Sequence, residues 1–228
     1  ILEPNGLSIK TPAGIILHTG DWKCDPNPLI GEKVDEEKLK HIGNQNVLAM
    51  ICDSTNVFNE GRAGSESDVR DSLLNIISKQ KKKIVVTTFA SNVARMETIF
   101  YCAKKTNRQI SLVGRSMHRI YKAARQCGYL QNLIEPVDPR DAKKIAREKI
   151  IYLSTGSQGE PMGATKRIVN GTHPDVYLEK GDTIIFSSKI IPGNEKKLYI
   201  MHNEIVRNEI EIITEENSFV HVSGHPNR

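Results

Sequence analysis

Ile84-Val85-Val86-Thr87-Thr88-Phe89-Ala90-Ser91-Asn92 decides the fold. The first six residues are β-branched or aromatic and uncharged, which reads as a strand. Ala90, Ser91 and Asn92 then free the chain to turn. Val93, Met96, Ile99, Phe100 and Ala103 follow at helical spacing, predicting a helix over 92–105. The same unit recurs downstream. Ile110–Val113 is a strand before a helix at 116–127, and Ile150–Leu153 a strand before a helix ending near residue 169. Thr183–Phe186 is a strand before a helix at 195–207. Upstream, Val47–Cys52 is a continuous apolar run expected of a strand buried on both faces. Ser65 caps a helix after it, with Val69, Leu73, Ile76 and Ile77 on its apolar side. Repeated strand–helix alternation predicts the α/β class, a mostly parallel sheet covered by helices. Ligands of such sheets bind off the carboxyl ends of the strands.

Outside this region the pattern differs. Residues 7–9 and 13–18 read as two short strands around Thr11-Pro12-Ala13-Gly14, and 35–43 as one short charged helix. The second strand runs out in Leu17-His18-Thr19-Gly20-Asp21-Trp22-Lys23, so Asp21 stands where a strand releases its chain. Phe219-Val220-His221-Val222-Ser223-Gly224-His225 answers it at the far end, another apolar run closing on paired histidines. The two ends read as parts of one metal-dependent, phosphoryl-cleaving site with a domain inserted between them. The H-x-x-x-H spacing around Ser223-Gly224 can aim two imidazoles and a hydroxyl at one anion, or assist proton transfer to a leaving oxygen.

No apolar run approaches the length of a membrane span, and nothing before Gly20 resembles a secretory leader, so the expected location is the cytoplasm. A net charge of +5 mildly favours a polyanionic partner. Cys24, Cys52, Cys102 and Cys127 form no C-x-x-C pair, so neither a zinc ribbon nor a dithiol redox motif is supported; buried reduced thiols are expected.

Five consecutive strand ends carry small hydroxyl residues or glycine: 53–56, 89–92, 114–116, 154–159 and 187–189. Helix N-termini behind such loops offer free N–H groups to an anion. Each Ser, Thr or Asn is singly explained as a helix cap. The five together read as a rim for a phosphate-bearing ligand. Lys79-Gln80-Lys81-Lys82-Lys83 is either a solvated loop or a phosphate contact. Arg115, Arg119, Lys122 and Arg125 share a helix face opposite Met117, Ile120, Ala124 and Cys127, as an ordinary amphipathic helix or part of a nucleic-acid track.

In order, Gly20-Asp21-Trp22-Lys23, Asp53-Ser54-Thr55-Asn56, Thr88-Phe89-Ala90-Ser91-Asn92, Gly114-Arg115-Ser116, Thr155-Gly156-Ser157-Gln158-Gly159-Glu160-Pro161 and His221-Val222-Ser223-Gly224-His225 resemble the motifs of the ribonuclease J family, the bacterial β-CASP branch of the metallo-β-lactamase superfamily. The resemblance implies a parallel-sheet β-CASP domain at 46–215 inserted in a metallo-β-lactamase fold. Only part of the latter is expected here, its first segment ending in 1–45 and a return strand at 216–228. It implies Asp21 as a carboxylate bridging two zinc ions, and Asp53 and His225 as catalytic residues. His221, Val222, Ser223, Gly224 and His225 would form the substrate-binding segment, with Ser91 and Ser157 lining the pocket for phosphates. It further implies RNA as partner, homo-oligomers, and endonuclease and 5′ exonuclease action in RNA maturation and decay.

The family's H-x-H-x-D-H motif does not occur in 1–228, so the chain is expected to be a piece of a longer protein, inactive by itself and a poor holder of zinc. Two other readings stay open: a non-cleaving phosphate- or nucleotide-binding α/β module, and a relative acting on DNA.

Overall fold

The computed structural model describes residue 2 and residues 4–228. Two units emerge, one formed by 1–67 with 222–228 and the other by 68–221.

The first unit holds a three-stranded sheet ordered β1 (Leu7–Thr11), β2 (Gly14–His18), β3 (Val47–Ile51). β1 and β2 are an antiparallel hairpin. Its turn is closed by Thr11, whose Oγ1 donates to the Gly14 carbonyl and accepts from the Ala13 and Gly14 N–H groups. Helix α1 (Glu36–Gly43) carries the chain from β2 to β3, and Asp35 caps it by accepting from Lys38 N–H. β3 then pairs parallel to β2, with His18 opposite Ile51.

β3 corrects two expectations. It lies beside β2 rather than in the large sheet, and it is not buried on both faces: Leu48 is 63% and Met50 56% exposed. It pairs along one edge only, so its apolar run has no second neighbour of the kind a central strand has. Cys52, at its end, is exposed with Cys24 and Cys127; only Cys102 is a buried thiol, and all four are free.

The second unit opens with α2 (Glu66–Lys79), whose start lies just before the division. Ser65 accepts from Ser67 N–H there, and Val69, Leu73 and Ile77 are buried. A five-stranded sheet follows, ordered β5 (Gln109–Val113), β6 (Ile150–Ser154), β4 (Ile84–Thr87), β7 (Thr183–Phe186), β8 (Glu211–Ile213). Every neighbouring pair is parallel. The crossovers run through α3 (Val93–Lys105), α4 (Arg115–Gln126), α5 (Pro139–Ala142), α6 (Ala164–Val169) and α7 (Glu195–Arg207). β4, β6 and β7 are buried throughout, as a sheet covered on both faces requires.

Helix α4 buries Met117, Tyr121 and Ala124, not Ile120 and Cys127 as its sequence suggested. Spacings of four and three put these residues on one stripe, and Tyr121 stacks on Phe100 with ring centroids 5.6 Å apart. Residues 216–228 form no strand. Among the described residues this stretch has only an isolated bridge, Asn56 to Asn227. Side chains hold it instead. The Val220 carbonyl accepts from Arg95 Nη1 (2.9 Å) and Ser187 Oγ (2.7 Å).

Candidate functional site

Parallel pairing of β2 and β3 brings the first two site residues together. Both strands end on the same side, so Asp21, three residues after His18, and Asp53, two after Ile51, leave the sheet at one edge. Thr19 ties the two ends. Its N–H donates to the Ile51 carbonyl (3.0 Å), and its Oγ1 accepts from Asp53 N–H (3.3 Å) while donating to the Gly20 carbonyl. The chain between Thr19 and Asp21 turns through Gly20 at φ +62°, where a Cβ would sit 2.9 Å from the Asn5 carbonyl oxygen. Only glycine fits that turn without strain. Gly20 N–H also donates to His18 Nδ1 (3.0 Å), which makes His18 a support for the turn.

His225 completes the cluster. Its Nδ1 lies 2.7 Å from Asp53 Oδ2, and the Asp53 side chain is only 2% exposed. Asp53 Oδ1 accepts from Thr55 N–H at 2.9 Å. Burial works to raise the Asp53 carboxyl, but the hydrogen bonds from Thr55 and His225 outweigh it and hold the group below the usual carboxylate range. An ionised Asp53 only accepts, so Nδ1 of His225 carries the proton of this bond and Nε2 faces away from it. One donor atom from each of Asp21, Asp53 and His225 lies within 4.8 Å of the others.

Two residues that the sequence reading quoted in motifs without assigning a role, Asn56 and Lys23, hold this arrangement. Asn56 Nδ2 donates to Ser223 Oγ (2.9 Å) and to the His225 carbonyl (3.3 Å); Ser223 Oγ also accepts from His225 N–H. Lys23 Nζ donates to the carbonyls of Gly64 and Ser223, the latter at 2.8 Å. Ser223 is thereby an organiser of the His225 turn. Each of these bonds to Ser223 links residues more than 160 positions apart, except that from His225, so no local pattern announces them.

The remaining candidates are placed as follows. Val222 is buried and Gly224 part-exposed, both in the same unit as His225. His221, Ser91 and Ser157 belong to the other unit. Ser91 is exposed at the carboxyl end of β4, whereas Ser157 is 2% exposed with an Oγ that finds no hydrogen-bond partner. The rim of five strand ends is corrected to four on one sheet, after β4, β5, β6 and β7, because the fifth follows β3. Hydroxyls at the rim and just behind it are spent internally. Thr165 Oγ1 links Thr87 and Ser154, and Thr88 Oγ1 donates to the Ser187 carbonyl. Asn92 is a helix cap, accepting from Arg95 N–H at 2.9 Å.

Zinc can be tested against the donor set. Carboxylate oxygen and imidazole nitrogen are both ordinary zinc donors, in sites of three or four protein ligands. Both Asp53 oxygens accept hydrogen bonds, which leaves the exposed carboxylate of Asp21 and Nε2 of His225 as the unengaged donors of the cluster. The cluster therefore fits as a portion of a zinc centre and not as a whole one.

A family model described as "Ribonuclease J, beta-CASP domain" matches residues 81–205. Across its whole length the chain is 41% identical to "Ribonuclease J" of Sinorhizobium meliloti, covering 40% of that protein. It is 38% identical over 96% of its length to the Corynebacterium glutamicum protein of the same name, and 37% over 96% to that of Synechocystis, covering 31% and 34% of them. The chain thus spans well under half the length of these curated relatives. Among the described residues no helix is long and apolar enough to cross a membrane. A matched family model over more than half the residues, a parallel α/β sheet within that match, and relatives of one name along the full sequence agree: the chain belongs to the ribonuclease J family and carries its β-CASP domain.

Proposed function

We propose that this chain is part of a zinc-dependent ribonuclease that hydrolyses RNA phosphodiester bonds, with both endonuclease and 5′ exonuclease action. The observation that carries the reading is the Asp53–His225 pair standing beside the Asp21 carboxylate. In the intact protein Asp21 would contribute a ligand to a centre of two zinc ions. Such a centre supplies an activated water and stabilises charge on phosphorus. The chain's own residues do the rest. Asp53 fixes the His225 ring by its Nδ1–H and stabilises the doubly protonated ring, whose Nε2–H, in place of any bond from that nitrogen to a metal, is then given to the leaving oxygen. Asn56 and Lys23, through Ser223, keep the turn that aims the ring. The partition into a metallo-β-lactamase portion and an inserted β-CASP domain, the cytoplasm as location, and assembly into homo-oligomers belong to the same proposal.

The reading of a non-cleaving phosphate module draws less support, since Ser154 and Ser187 of the rim bond within the protein, to Thr165 and the Val220 carbonyl. The test is Asp21→Ala in the intact protein, assayed on a 5′-labelled RNA. Loss of measurable turnover with retained fold is expected, and unchanged turnover overturns the assignment.

A further inference from the structure

Because all five strands of the second unit are parallel, they all begin at one edge, opposite the loops of small residues. That starting edge is basic. Arg108 precedes β5, Lys149 precedes β6, and Lys81, Lys82 and Lys83 precede β4. These three strands are consecutive in the sheet, so their leading cations form a row, from which Lys83 is withdrawn by burial against Asp182 and the Tyr177 carbonyl, while Lys82 Nζ donates to the Lys180 carbonyl. At about 4.8 Å per strand the row covers roughly 10 Å, longer than a single small anion needs.

Most acids at this edge are paired, with Glu148, exposed beside Lys149, the exception among the described residues. Asp182 and Glu179 pair with Arg147, Glu209 pairs with Lys180, and Glu135 pairs with Arg125. Lys81, Lys104 and Lys149 are exposed and form no ion pair among the described residues. Lys104 and Lys149 line an open groove of about 380 Å³ with Arg108, Asn107, Gln109, Ile134 and the Arg125-paired Glu135 on its walls. Arg108 is only 6% exposed, and its guanidinium donates to the carbonyls of Gln80 and Lys82. It thereby pins the Lys79–Lys83 loop beside the groove instead of leaving it loose. Helices α2 and α3 end here, and cations in a last turn offset the partial negative charge of a helix C-terminus. That accounts for Lys79, Lys104 and Lys105, but not for Lys81, which lies in a loop, and hardly for Lys149, which closes a single 3-10 turn (Arg147–Lys149) too short to build up such a charge.

We propose that this amino edge of the sheet is a second polyanion-binding surface, one that takes the phosphate backbone of a single-stranded nucleic acid. The choice of nucleic acid rests on the ribonuclease reading; the surface itself does not. A row of cations with the amides of Asn107 and Gln109 beside it suits a linear phosphate chain, read by charge and without base preference.

The test is fluorescence anisotropy of this chain with a labelled single-stranded RNA between 50 and 300 mM salt. The triple variant K81Q/K104Q/K149Q is compared with K33Q/K38Q/K40Q, which removes the same charge from the first unit. Circular dichroism checks that both fold. Loss of three phosphate contacts at about 0.7 each flattens the slope of log K against log salt by about 2. The first variant is expected to show that flattening and about tenfold weaker binding or more, with the second close to the unaltered chain. Equal effects of the two variants, or none, overturn the surface. Displacement by polyglutamate as readily as by RNA makes it an acidic-peptide surface and overturns the nucleic-acid assignment. Failure of Asp21→Ala to abolish turnover in the intact protein sinks the ribonuclease reading without moving these slopes.

Discussion

Asp53 Oδ2 and His225 Nδ1 stand 2.7 Å apart although 172 positions separate them in the sequence. The bond joins a nearly buried carboxylate to a part-exposed ring, and it decides which ring nitrogen is left for chemistry. Asp53→Asn keeps the shape and removes the charge. In the intact protein kcat on RNA should fall about 10²- to 10⁴-fold, the range of a general acid–base group, with KM little changed. In this chain, nitrogen NMR of the His225 ring should report Nδ1–H in the neutral form and lose that preference in the variant. A ring already without it in the parent sequence would refute the orientation.

Zinc retention distinguishes a partial centre from a complete one. After dialysis against metal-free buffer the chain is expected to keep well under one zinc per molecule by elemental analysis, because only Asp21 and His225 Nε2 offer unengaged donors in the cluster. Stoichiometric retention at that cluster would mean the donor set is fuller than this.

Arg95 is the largest fully buried side chain, and its Nη1 donates to the Ser187 carbonyl, Ser187 Oγ and the Val220 carbonyl. Arg95→Met fills similar space but leaves these acceptors short of a charged donor. A loss of about 3 kcal/mol in urea unfolding is expected. A loss below about 1 kcal/mol would show that the acceptors find other partners.

Gly114 sits at φ +109°, and a Cβ there would meet Thr155 Oγ1 at 2.3 Å. Gly114→Ala combines backbone strain with that clash and should destabilise the chain by about 2 kcal/mol or more. Adding Thr155→Ala should recover part of the loss, since it removes the clash and keeps the strain; no recovery would place the whole effect in the backbone.

Acid should weaken the second unit before most carboxylates titrate. Burial pushes both His173 and His202 below the ordinary imidazole value of 6.5, with Arg167 adding to the effect at His173 and Glu216 opposing it at His202. The unfolded chain then binds more protons than the folded one, so stability rises with pH. It is full above about 6.5 and declines as the pH falls below that value, until the folded-state rings themselves protonate. The urea midpoint should drop between pH 7.5 and 5.5, and H173Q/H202Q should flatten that drop. An unchanged dependence in the double variant would assign it elsewhere.

Strands β4, β6 and β7 were legible because a strand covered on both faces is apolar at nearly every position, with only Thr87, Ser154 and Thr183 as hydrogen-bonded exceptions. The long helices were legible because one buried stripe imposes its period. β3 shares the apolar composition of β4 but not its burial, and composition alone does not tell which sheet a strand joins. β8, α5 and the stretch after residue 215 are too short or too dependent on distant side chains to leave a periodic signal. Asp21, Asp53 and His225 stood out as chemistry placed at element ends. Asn56 and Lys23, which hold the turn, stood inside the motifs, but nothing local announced that their partner is Ser223.

The sheet order also sets a timetable for synthesis. β4 is central, yet its neighbours arrive late: Ile84 pairs with Ile151 and with Thr183, 67 and 99 residues further on. At roughly 5–20 residues per second, the ribosome exposes an apolar strand for seconds before either neighbour exists. Such distant pairings are entropically slow to close. The nascent chain is therefore most prone to aggregation while β6 and β7 are still being made, and chaperone demand should peak in that window.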